Sequence, residues 1–208
     1  MEEFIMKKSM ALILATLSLF ALVACGGDAP AASSAPEASK SDANAPVAAT
    51  ETFEGPVLLV AVGESADISI AKNVMKKTGV EFAEYAEGTK VADYKSAVLV
   101  PGVSVKGLGE AGIDVAAELA ATEALLAELE AANVKVIVAH LGGSSRRDEL
   151  TDQFLDVVLP AADYIVALEE GNKDGKFSDF AAANGVANTM ADGLASIVTV
   201  FGTLYAAK

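Results

Sequence analysis

Short, continuous apolar runs of strand length recur from Pro56 onward, with helical patterns between them, and this alternation narrows the fold more than any other feature of the chain. Val57-Leu58-Leu59-Val60-Ala61-Val62 lies between Gly55-Pro56 and Gly63, Ala97-Val98-Leu99-Val100 ends at Pro101-Gly102, and residues 134–139 and 164–168 repeat the pattern. Runs with no polar face suit strands covered on both sides. Residues 80–85 interleave polar side chains and read as an edge strand. Residues 66–78 place Ile68, Ala71, Val74 and Met75 at helical spacing, with Ser65 as N-cap and Gly79 as a stop. Residues 114–132 form a longer amphipathic helix, and 148–159 another that Pro160 closes. The tail holds a short strand near Val186, a Thr189 cap and a helix over 190–206. Strands alternating with helices predict an α/β fold of three layers with a mostly parallel five- or six-stranded sheet. The short first repeat and edge-like second strand favour a flavodoxin-like or Rossmann-like order, 2-1-3-4-5.

The alternation begins late. Lys7 and Lys8 precede an apolar run that ends at Leu22-Val23-Ala24-Cys25-Gly26, which reads as a secretory signal over residues 1–24. Met6 opens a more typical signal than Met1, because Glu2 and Glu3 are out of place in a positive leader. The only cysteine of the chain stands at the cleavage point. This arrangement resembles the lipobox of bacterial lipoproteins, and the resemblance implies that Cys25 is acylated, becomes the new N-terminus and ties the protein to a membrane from the extracytoplasmic side. Residues 25–54 are rich in Ala, Ser and Pro, too poor in large apolar side chains to offset their ordering entropy, and read as a disordered linker. Residues 55–208 then form a single α/β domain.

Composition removes several function classes. The 208 residues carry 15 Lys and Arg against 29 Asp and Glu, a net charge of −14. The signal contributes two of each sign, so the acidity belongs to the mature part, which argues against nucleic acid as a partner. One cysteine and one histidine leave no disulfide scaffold and no zinc cluster. A two-lobed solute receptor is disfavoured, since one domain supplies no hinged pair of lobes.

In open α/β sheets, ligands sit beyond the carboxyl ends of the strands, near the switch in strand order. That rule selects four loops: Gly63-Glu64-Ser65, residues 101–112, residues 140–147 and residues 169–176. The only two arginines, Arg146 and Arg147, adjoin Ser144 and Ser145 in the third loop, while Ser104, Lys106 and Gly107 lie in the second. In a chain this acidic, a local basic cluster among glycines suits a small carboxylate or phosphate. The competing reading pairs the arginines with Asp148, Glu149 and Asp152.

Three further patterns are weaker. Residues 107–112 fit G-x-G-x-x-G but do not follow the first strand directly, so the glycines are better read as shaping a wide loop and no cofactor is called for. Ser65 sits at a strand-to-helix turn and His140 ends the fourth strand, which leaves a Ser65-His140 hydrolase as the alternative if those loops meet. Residues 170–181 partly match a calcium loop, yet Ala181 stands where a bidentate acid belongs.

Taken together, GES, GVSVKGLGEAGI, HLGGSSRRDE and EEGNKDGKF resemble a family of uncharacterised exported bacterial α/β domains. The resemblance implies domain boundaries near Pro56 and Tyr205 and transfers no catalytic residue. The expected protein is therefore a lipid-anchored extracytoplasmic module that binds a small anionic ligand, in transport or sensing, through Ser65, Ser104, Lys106, Gly107, His140, Ser144, Ser145, Arg146 and Arg147. Catalytic and metal residues are not assigned. Besides the hydrolase, a non-catalytic protein that binds an envelope partner is the remaining alternative, with that partner unidentified.

Overall fold

The computed structural model describes residues 51–206. Six strands, β1 (Val57–Val62), β2 (Phe82–Glu84), β3 (Ser96–Pro101), β4 (Lys135–His140), β5 (Tyr164–Leu168) and β6 (Ala187–Ala191), form one sheet in the order β2-β1-β3-β4-β5-β6. Every neighbouring pair is parallel. The expected α/β class and order hold, with β6 extending the sheet beyond β5. The helices are α1 (Ile68–Thr78), α2 (Val105–Ala111), α3 (Val115–Ala131), α4 (Glu149–Val158), α5 (Lys176–Asn184) and α6 (Leu194–Leu204).

Side chains alternate across the strands, and the two resulting apolar layers are separate. On one face Leu58, Val60, Leu99, Val138 and Ile165 pack with Leu125, Leu129, Phe154, Leu155 and Phe177 from α3, α4 and α5. On the other, Leu59, Val98, Ile137 and Val166 pack with Val74 and Met75 of α1 and Ile197 and Phe201 of α6. The central strands are buried on both faces, which is why their sequences show no polar alternation. β2, at the edge, is half-buried to exposed.

Four local features differ from the sequence reading. The glycine-rich stretch after β3 is not one wide loop: Ser104 Oγ accepts from the Gly107 N–H at 3.0 Å, caps α2, and Gly112 ends the helix in the left-handed region at φ 72°. Glycines lower helix propensity, and here the cap outweighs them. Ser65 does not cap α1. Its carbonyl accepts from Ile68 N–H at 3.2 Å in a turn that precedes the helix, and Asp67 occupies the cap position without a side-chain cap bond. Thr189 lies inside β6, its hydroxyl 2.8 Å from the Tyr164 hydroxyl, and α6 begins only at Leu194. Helix α5 was not foreseen; Asn172 Oδ1 starts it by accepting from Phe177 N–H at 2.9 Å and Ser178 N–H at 3.2 Å.

The packed body also starts before residue 55. Phe53 is buried, its N–H donates to the Leu204 carbonyl at 2.7 Å, and its ring meets Tyr164 and Tyr205 at 6.1 and 6.2 Å. Ser96 Oγ donates to the Glu54 carbonyl at 2.8 Å and lies 3.0 Å from the Tyr205 hydroxyl. The last residues assigned to the linker are thus clasped at the amino edge of the sheet. Among the described residues, no helix is long and apolar enough to cross a membrane. Cys25, the signal and most of the linker lie outside the described residues.

Candidate functional site

The chain leaves β1 toward β2 on one side and returns to β3 on the other, so the switch in strand order lies between β1 and β3. The loops at these carboxyl ends converge along a seam of glycines. Gly102 N–H donates to the Val62 carbonyl and Ser104 N–H to the Gly63 carbonyl, at 3.1 and 2.9 Å. A Cβ on Gly102 would stand 2.7 Å from Ser65 Oγ, and one on Gly142 would stand 2.2 Å from Asp67 Oδ2 and 2.1 Å from Arg146 Cγ. On Gly171 it would come within 2.9 Å of the His140 ring. Gly143 combines a φ of +57° with Glu170 lying directly against it, and both features demand glycine.

Ser65 and Asp67 are 2% and 6% exposed, and Ser65 Oγ accepts from Asp67 N–H at 3.3 Å. Asp67 Oδ1 faces Arg146 Nε at 3.5 Å, while Oδ2 is buried with no hydrogen-bond partner among the described residues. Arg146 is about one-third exposed, and among the described residues its Nη1 and Nη2 donors have no hydrogen-bond partner. Ser144 and Ser145 are exposed beside it, and Ser145 Oγ donates to the Gly142 carbonyl at 2.8 Å.

Arg147 is placed quite differently. Nε and Nη2 reach Asp152 at 2.8 and 3.1 Å, Nη1 and Nη2 reach Asp174 at 3.0 and 2.6 Å, and Nη1 also donates to the Gly171 carbonyl. Its guanidinium carbon lies 5.4 Å over the Phe177 ring. These bonds hold the Asp152 carboxyl below its usual value and draw Asp174 down to about 2. They raise Arg147 still higher, so it is charged throughout. Lys176 extends the network to Asp156 at 2.7 Å. Of the two anion-holding arginines expected, Arg147 is saturated by its own chain. It borders an open depression of about 420 Å³ whose rim, with Asp148, Glu149, Glu170, Asp152 and Asp174 against Lys173 and Arg147, carries an excess of acid.

His140 is fully buried and stacks on Phe177 with ring centroids 5.1 Å apart. Burial first, and the charge of Arg147 second to the opposing pull of the Gly143 carbonyl, lowers its pKa and keeps the ring neutral. Nε2–H donates to the Gly143 carbonyl at 3.1 Å, which fixes Nδ1 as an acceptor with no partner among the described residues. Ser65 and His140 share no hydrogen bond, so the geometry lends nothing to a nucleophile-base pair. Lys106 is exposed and meets Glu110 at 3.5 Å; Ser104 and Gly107 are joined in the α2 cap.

The G-x-G-x-x-G residues occupy α2 and its end rather than a phosphate loop. In the calcium-like segment Asn172 caps α5 and Asp174 pairs with Arg147. Among the described residues, no group of three or more His, Cys, Asp or Glu is placed to hold a metal ion. The residue that sequence reasoning missed is Asp67. Its signal was its place, two positions past Ser65 at the end of the first strand, but a lone Asp before a helix reads as a solvated cap.

The order of strands and the polar groups at their carboxyl ends define a doubly wound, all-parallel α/β domain of Rossmann-like form. Residues 54–205 match the family model described as Domain of unknown function (DUF6305), and the chain belongs to that family. No curated protein matches the chain.

Proposed function

We propose that this protein is a lipid-anchored extracytoplasmic module that binds a small anionic ligand, a carboxylate or phosphate, at the carboxyl ends of β1, β3 and β4, in transport or sensing. The observation that carries the reading is Arg146: a guanidinium beside the strand switch, one-third exposed, held by a single 3.5 Å contact and with both terminal nitrogens free of bonds among the described residues. A planar, permanently charged fork is suited to two-point recognition of a carboxylate or phosphate. Ser144 and Ser145 precede it with exposed hydroxyls, and Ser104, Lys106 and Gly107 form the capped first turn of α2 after β3. Ser65 and His140 act from beneath, as buried supports of Asp67 and of the Gly143 turn. Arg147 braces this loop and does not touch the ligand.

Thermal-shift screening with carboxylates and phosphates tests the site. Stabilisation that disappears in Arg146→Ala and survives in Arg147→Lys supports the proposal, and the absence of any stabilising anion overturns it. The anchor is tested separately. Metabolic labelling with a fatty-acid analogue and partition into detergent should both be lost in Cys25→Ala.

A further inference from the structure

An anion that takes the terminal nitrogens of Arg146 brings a second negative charge up to Asp67, and one that pulls the guanidinium away strands it. The carboxylate is 6% exposed, Arg146 is its only ion-pair partner among the described residues, and Oδ2 already lacks a donor. A simple anion that drew the guanidinium away would leave a buried negative charge uncompensated and would add its own charge beside it. Breaking a buried pair in this way is strongly unfavourable. A ligand that brings a positive donor with its anion avoids that loss, because the donor can meet Oδ2 while the anion meets Arg146.

Resting on the binding reading above, we infer that the ligand is zwitterionic: one small molecule with an anionic group for Arg146 and an ammonium for Asp67. The site's fixed charges, one positive and one negative, are then matched by charges of the opposite sign. The surroundings agree. Glu64 is exposed near the Gly107 turn and Glu170 lies against Gly143, so a ligand with no net charge meets less repulsion here than a bare anion. The two residues packed against Oδ2, Gly102 and Gly142, lack side chains, so the cover that must shift at Gly142 is backbone and the Arg146 stem. The Gly142–Arg146 turn is held by the Ser145 and His140 bonds and the 3.5 Å contact.

The test compares pairs that differ by one ammonium, glycine with acetate and phosphoethanolamine with ethyl phosphate, titrated by calorimetry into the full-length protein in detergent at about pH 5, where a phosphate monoester carries about one charge. At least one zwitterion should bind about tenfold or more tighter than its monoanion, as expected for one added charge-assisted bond. The two pairs distinguish an amino acid from an amino-alcohol phosphate. Asp67→Asn should reverse the order, weakening the zwitterion and strengthening the monoanion, while Arg146→Ala should weaken both. Monoanions that bind the unmodified protein as tightly as their zwitterions overturn the inference and leave the anion site standing. A preference that persists in Asp67→Asn also overturns it. If none of the four binds, the inference falls, and the thermal-shift screen alone decides the anion site. Should Asp67→Asn not fold, the two ratios measured on the unmodified protein decide.

Discussion

Arg146 and Arg147 are neighbours in the chain with opposite surroundings. Arg147 turns toward β5 and α4, where two carboxylates, a carbonyl and a phenyl ring use its whole guanidinium. Arg146 turns toward the strand switch, where one distant oxygen faces it. The same contrast separates the two halves of the carboxyl edge. Over β4 and β5 the charged groups satisfy one another and only His140 Nδ1 is left over among the described residues, whereas over β1 and β3, among the same residues, Asp67 Oδ2 has no partner and Arg146 keeps donors to spare. A polar group that a fold needs is completed by the fold, and one left incomplete at a ligand edge is a candidate for completion from outside.

The sharpest way to break the contrast is to remove the floor of the saturated half. Phe177 is fully buried beneath both His140 and Arg147, and Phe177→Ala should lower stability in urea by about 3–5 kcal/mol. Arg147→Ala, which strands Asp152 and Asp174 and exposes that ring, should lower it by about 2 kcal/mol, against less than about 1 for Arg146→Ala. Comparable losses from the two arginines would erase the distinction.

Acid should act on the saturated half in two steps. His140 titrates below its usual 6.5 in the fold, so the unfolded chain takes its proton first. Stability therefore falls as pH drops below about 6.5, and His140→Gln should flatten that limb. Asp152 and Asp174 are depressed from 3.8, Asp174 to about 2. Their contribution is complete above about pH 4 and is lost as pH falls toward 2, a second limb that Arg147→Ala should remove. Unfolding midpoints across this range read both. The smallest effect belongs to Lys106, exposed and loosely paired with Glu110. Lys106→Ala should change stability by less than about 0.5 kcal/mol.

The sheet was legible because burial on both faces writes itself as uninterrupted Val, Leu and Ile, and parallel strands have few alternative orders. The helices α2 and α5 were not, since each begins with a local cap, Ser104 or Asn172, whose partner lies three to six residues on and looks like loop chemistry. The four ligand-edge loops could be selected from strand ends alone. Which way Arg146 and Arg147 point could not, because that depends on Asp174 and Asp67, 27 and 79 positions away. Asp67 was missed for a related reason. Its isolation is a property of Gly102 and Gly142 closing over it, and neither is near it in sequence.

Phe53 and Tyr205 touch one another at the end of the sheet where β1 and β3 start. The fold therefore has its incoming and outgoing chain on one side, like the two legs of a staple, with the length of a six-residue strand, about 20 Å, between them and the glycine seam. A tether or a fused domain at either leg therefore joins the fold beside the Phe53–Tyr205 contact, at the opposite end of β1 from the glycine seam.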